Sequence, residues 1–240
     1  MSVSERVNVN DLVLVQGWSD TRKTLHEWNE SPWSVLRTWI FWSSLVAVGL
    51  LLATTWVASL STPDPSILRL PGINSSVEPG DVAYVLIRNA LVLALHGFAC
   101  VAGFIAGSSL PLSAAKRTGF SRWVHEKAGP FAIAFVIGAT MFSLTTQAYI
   151  LGGTEADIAG QLGISPVLLT LGLLPHALPE LTALFLPLAA WTIASRRDEW
   201  HTLLAATFVT VGLAIPVLVV TSLLEVYVTP ELLIALSDRY

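Results

Sequence analysis

Six side chains able to carry charge, protons or strong hydrogen bonds stand where their neighbours are almost all apolar: Arg88, Asn89, His96, His176, Glu180 and Glu225. His176 and Glu180 are four residues apart in "LLPHALPELTALFLPLAAW", hence on one face if that segment is helical. Asn89 and His96, seven apart, also share a helical face. Groups of these types can pair as charges, tie helices together, line a polar path or ligate a metal. A metal site is not expected, because a His-x-x-x-Glu pair is common by chance and no third strong ligand follows His176 and Glu180 at a fixed spacing. "HEWNE" at His26 to Glu30 and "HEK" at His125 to Lys127 lack the second histidine of the zinc-protease motif and read as solvated charge runs. "GSSL", Gly107 to Leu110, offers serines without an adjacent histidine base or a nucleophile elbow, and no glycine-rich loop with a lysine could cradle a phosphate. Neither an enzyme nor a cofactor is expected.

The elements that hold these groups are set by the solvent. With 53% hydrophobic and 12% charged side chains and a mean hydropathy of +0.65, the composition is that of a membrane protein. Charge-free runs of about bilayer length occur at Trp39 to Leu60, Asn89 to Ala115, Ala128 to Thr154 and Thr202 to Leu224. The run from Ile158 to Ser195 is longer and carries only His176 and Glu180; as one helix it would reach about 60 Å, roughly twice the hydrocarbon thickness. Pro175 and Pro179 each lack the amide that closes a helical turn and crowd the turn before. The sequence therefore predicts a helix break there, with a re-entrant or interfacial helix over about 165–174 and a full span over about 177–194; the alternative is a single strongly kinked, tilted helix. The expected fold is all-α, a polytopic membrane helix bundle of five transmembrane spans plus the re-entrant or broken helix before the fourth.

Lysine and arginine accumulate on the cytoplasmic side of membrane proteins, so loop charges orient the chain. Arg6, Arg22, Lys23 and Arg37 precede the first span, Lys116, Arg117, Arg122 and Lys127 follow the second, and Arg196 and Arg197 follow the fourth; only Arg69 and Arg239 lie in the other loops. The expected topology has the N-terminus inside, the C-terminus outside and a prokaryotic cytoplasmic membrane around it. Residues 1–38 form a cytoplasmic or interfacial segment, 39–228 the transmembrane domain and 229–240 an extracytoplasmic tail. A cleaved signal is not expected, since 38 residues precede the first apolar run. Within the first segment, Asp20 is a plausible N-cap, and Trp18, Leu25, Trp28, Trp33 and Trp39 suit a helix lying at the lipid headgroups. Cys100, the one cysteine, permits no disulfide within the chain. The net charge of -4 gives no reason to expect nucleic acid as a partner.

Measured along the expected spans, Arg88, Asn89, His176, Glu180 and Glu225 share the outer half of the membrane, with His96 deeper. Two carboxylates and one guanidinium at one depth can pair, each reducing the other's desolvation cost. Two readings stand side by side: interhelical glue, at roughly half to two kcal/mol per hydrogen bond, or a functional polar cavity on a substrate or ion path.

"LLPHALPELTAL" resembles the Pro-His-Gly-x-x-Glu-Leu signature of the stage II sporulation protein M (SpoIIM) family of multispan membrane proteins. Pro175, His176, Glu180 and Leu181 fall on that signature; Ala177 replaces its glycine, and Pro179 is additional. "TSLLEVYVTPEL", Thr221 to Leu232, is similar to the family's closing segment, and "IRNALVLALHGFACVAGFIAG", Ile87 to Gly107, to its asparagine-led, glycine-rich span. The resemblance covers most of the chain from about residue 39 onward. It implies an integral membrane protein without known catalysis, whose relatives serve in membrane complexes or accompany ABC transporters. The function expected is a non-enzymatic subunit or scaffold of a multiprotein membrane assembly, with other membrane proteins, an ABC transporter among the candidates, and lipid as partners. The alternative is a permease or transporter subunit with an outward-facing polar site.

Overall fold

The computed structural model describes residues 13–64, 66–109, 118–237 and 239, and among them every regular element is a helix. Arg6, Lys116 and Arg117 lie outside the described residues, as does the expected end of the second span at Ala115. Seven α-helices follow one another: α1 Val13–Glu30, α2 Pro32–Leu60, α3 Pro79–Phe104, α4 Gly119–Leu162, α5 Pro166–Arg196, α6 Leu203–Leu223 and α7 Thr229–Leu236. A π-helical turn, Ile105–Ser109, extends α3, and another, Leu224–Val228, joins α6 to α7. Among the described residues five segments are long and apolar enough to cross a membrane: Pro32–Leu60, Pro79–Gly107, Ile133–Leu162, Pro166–Arg196 and Trp200–Leu236. The chain is thus an all-α, multi-pass membrane helix bundle.

The spans alternate in direction, as side-chain register shows. Ser44 with Thr182 and Thr55 with Thr170 share hydroxyl hydrogen bonds of 3.3 and 2.6 Å, which sets α2 antiparallel to α5. Arg88 meets Glu180 and His96 meets the Leu184 carbonyl, so α3 runs parallel to α5. Gly97 faces Val211 and Gly103 faces Leu203, so α6 runs antiparallel to α3. Ala47 and Leu50 pack with Leu144 and Ala148, placing α4 parallel to α2. Lipid supplies no hydrophobic drive between spans, and the seams are accordingly built on small residues that let backbones approach: Ala47, Ala183, Ala189, Ala190, Ala206 and Ala214 are all buried there. Gly103 is the extreme case, since a Cβ at that position would come within 2.6 Å of Trp191 Nε1.

The expected break at Pro175 and Pro179 does not occur. Helix α5 is continuous through Pro175, Pro179 and Pro187, and no re-entrant segment precedes the fourth span. Pro175 and Pro179 lie on the outer face of α5, and Pro187 is buried. Leu169, Gly172, His176, Glu180 and Ala183 point into the bundle, whereas Leu171, Pro175 and Pro179 lie exposed on the opposite, lipid-facing side. The pyrrolidine rings therefore crowd no neighbouring helix, and the inner face docks without interruption against α2, α3 and α6. Deeper down, α3 donates to α5 backbone on either side of the third proline's turn, His96 Nδ1 to Leu184 O at 2.8 Å and Cys100 Sγ to Pro187 O at 3.1 Å. Proline in a spanning helix is tolerated where neighbours supply such support. Helix α5 starts at Pro166: Gly163, left-handed at φ 74°, ends α4, and the Ser165 hydroxyl caps the Leu168 amide at 3.2 Å. At 31 residues α5 is about 46 Å long, so it tilts or projects beyond the hydrocarbon.

Three boundaries also differ from expectation. Asp20 is not an N-cap but lies inside α1. The second span starts at Pro79, three residues before Val82, near which it is expected to begin, and Arg88 lies inside it as expected. The third runs to Leu162, past Glu155, which is 7% exposed. At the end of the bundle away from Arg196, the loop after α2 is pinned down by Arg69, which binds both oxygens of Asp81 at 2.7 and 3.2 Å, and by Gln161, which contacts both backbone groups of Leu68. Helix α1 lies across the opposite end, with Gly17 against Leu204 and Phe104, and Trp28 set edge-on to Trp39.

Candidate functional site

Helices α3 and α5 and the π-turn after α6 each deliver one charged residue to a common point. Arg88 lies nine residues after Pro79 on α3, and its Nη2 is 4.0 Å from Glu180 Oε1 and 3.7 Å from Glu225 Oε1. These are ion-pair distances, longer than the 2.7–2.9 Å of a charge-assisted hydrogen bond. The side chains are unequally covered: Glu180 is 8% exposed, Glu225 27% and Arg88 47%. The guanidinium thus forms the outer edge of the triad, and Glu180 its floor. Glu180 lies fourteen residues after Pro166, near the middle of α5, because α5 begins eleven residues before the expected Ala177.

The second oxygens of both carboxylates, Glu180 Oε2 and Glu225 Oε2, are buried without a hydrogen-bond partner, and so is the amide nitrogen of Asn89. Asn89, itself 2% exposed, stands beside Glu180 together with Thr221. Backbone polarity adds to this. In the π-turn Leu224–Val228 the Thr229 amide donates to Leu224 O rather than to Glu225 O, and the next amide along is missing because residue 230 is proline. The main-chain carbonyl of Glu225 thus lacks both its α-helical and its π-helical donor.

His176 is buried at 6% exposure, one turn from Glu180, and its Nδ1 is 2.8 Å from Thr229 Oγ1. This bond ties α5 to the start of α7. His96 belongs elsewhere: it is eight residues, about 12 Å, further along α3 than Arg88, bonded to Leu184 O and set against Phe185 at 5.5 Å between ring centroids. It also borders an apolar cleft of about 280 Å³ between α3 and α4, walled by Leu95, Phe98, Phe135 and Val136. The structure therefore joins Arg88, Asn89, Glu180 and Glu225, places His176 beside them and separates His96 from them. Among the described residues no group of three His, Cys, Asp or Glu is arranged to hold a metal ion.

A second polar cluster was not foreseen. Glu155 on α4 accepts a hydrogen bond from Thr170 on α5, and Thr170 shares another with Thr55 on α2 at 2.6 Å. Its signal was present as paired threonines, Thr54 and Thr55, opposite a lone carboxylate. Reading each span as ending at its first charge hid it.

Comparison with known proteins adds no relative to this geometry: no family model, no curated protein and no solved structure matches the chain.

Proposed function

We propose that this chain is a non-enzymatic integral membrane subunit that assembles with other membrane proteins, in the manner implied by its resemblance to the stage II sporulation protein M family. One observation carries the reading. The Arg88 side chain is 47% exposed on the flank of the bundle, between exposed Tyr84, Ile87 and Leu91. A lipid-facing guanidinium in a spanning helix costs about 2.5–3.5 kcal/mol near the helix centre even on permissive scales, and such residues usually face protein or water. A partner helix laid over this flank removes that cost. Helix α4, whose apolar residues such as Phe135, Met141 and Phe142 are exposed, and the cleft it leaves against α3 offer an adjoining surface. By its basic residues, the end of the bundle bearing Arg37, Arg196 and Arg197 faces the cytoplasm of a prokaryotic cell, and α7 faces outward.

Photo-crosslinking in native membranes tests this. A crosslinker at Leu91 or Leu95 should give the same discrete protein adduct, and one at Trp56 on the far flank should give none. Lipid adducts alone at all three positions would overturn the proposal. A second reading, a transporter subunit, is favoured by the unpartnered carboxylate oxygens of Glu180 and Glu225. It requires Glu180→Gln to keep the protein folded and abolish a measurable flux.

A further inference from the structure

From the Arg88–Glu180–Glu225 constellation we infer a binding site for one monovalent cation, a proton or an alkali ion, inside the bundle. The charge count leads there first. Two carboxylates face one guanidinium, so with both ionised the group carries a net charge of -1, and its polar neighbours Asn89 and Thr221 are neutral. An uncompensated charge there costs several kcal/mol, and one added positive charge removes it.

The oxygen atoms available match such a guest. Arg88 reaches one oxygen of each carboxylate and leaves Glu180 Oε2 and Glu225 Oε2 buried and unpartnered. Glu180 as a whole is 6% exposed, so its free oxygen faces protein. The side-chain donors other than Arg88 that stand beside these oxygens, Asn89 and Thr221, are neutral. Asn89 Nδ2 can donate to one of them after a small shift, but an amide adds no charge. Hard oxygen ligands without imidazole or thiolate suit an alkali ion or a proton far better than a transition metal.

The remaining ionisable groups on the packed elements do not supply the missing charge. His176 on α5 turns its Nδ1 away from the triad to Thr229 and forms no ion pair with either carboxylate, and Glu155 on α4 is a further acid, bonded to Thr170 ten residues away along α5. Helix α2 brings no ionisable group between Trp39 and Leu60. This inference is independent of whether the chain is an assembly subunit or a transporter.

The test uses the purified full chain in lipid nanodiscs. Equilibrium binding of sodium and of potassium is measured against choline, alongside the infrared absorption of protonated carboxyl groups at neutral pH. Wild type should bind one alkali ion per chain saturably, or, binding none, show a protonated-carboxyl band. Glu180→Gln and Glu225→Gln should each abolish the ion binding or diminish the band. Two variants are used so that misfolding of one, checked by tryptophan fluorescence, leaves the other informative. Wild type showing neither ion binding nor the band overturns the inference, as does a signal that survives in both folded variants.

Discussion

Thr229 Oγ1 lies 2.8 Å from His176 Nδ1, and this contact fastens the short terminal helix α7 to the middle of α5. Both residues are buried, and Leu233 continues the seam into Leu162 and Leu169. His176→Ala should lower stability by about 0.6–1.7 kcal/mol, the range of interhelical hydrogen bonds in membranes. Because the loss falls on α7, hydrogen exchange at Leu232 to Leu236 should rise before that of α2. Uniform protection across α7 in the variant would remove the fastening role.

Glu180 and Arg88 should behave as coupled residues. Glu180→Ala removes the floor of the triad, Arg88→Ala leaves two carboxylates facing each other, and the double variant should cost less than the sum of the two by about 1 kcal/mol. Reversible unfolding in mixed micelles measures the cycle. Strict additivity would show that 4.0 Å is too long a separation for the pair to matter.

Gly103→Ala should destabilise by about 1–3 kcal/mol through overpacking, because the new methyl meets Trp191 and Leu203 inside 3 Å and Trp191 is itself held edge-on to Trp200. Gly49→Ala, in α2 with nothing within 4 Å of the added carbon, should be neutral or stabilise by up to about 1 kcal/mol through helix propensity. Equal losses at both positions would deny that close backbone approach is what Gly103 provides.

Helix α5 should survive loss of its outer prolines. Pro175→Ala and Pro179→Ala restore amides on a lipid-facing side, so thermal stability should hold or rise, by contrast with His176→Ala on the inner face. A drop of several degrees in the proline variants would show that their kink, and not the inner face, sets the packing.

Single cysteines introduced into a Cys100→Ala background at Ile67 and at Asp198 should react from opposite sides of the membrane, Ile67 in intact cells and Asp198 only after permeabilisation. The reverse pattern would invert the orientation argued from the basic residues.

Residue types alone determined the solvent, the helical class and the number of spans, because charge-free runs of bilayer length leave a chain no structure but helix when every backbone group must be satisfied internally. They also placed Arg88, Glu180 and Glu225 within reach of one another, since depth follows from counting along helices at a fixed rise. Other features were invisible at that level. A proline's effect depends on whether neighbouring helices hold its own helix together, and the outward placement of Pro175 and Pro179 exists only once α2, α3 and α6 have covered the other side of α5. Glu155 looked like the end of a span until Thr170, from another helix, compensated its burial. Local sequence sets what a segment can do in lipid; which of its faces is inside is decided by what packs against it.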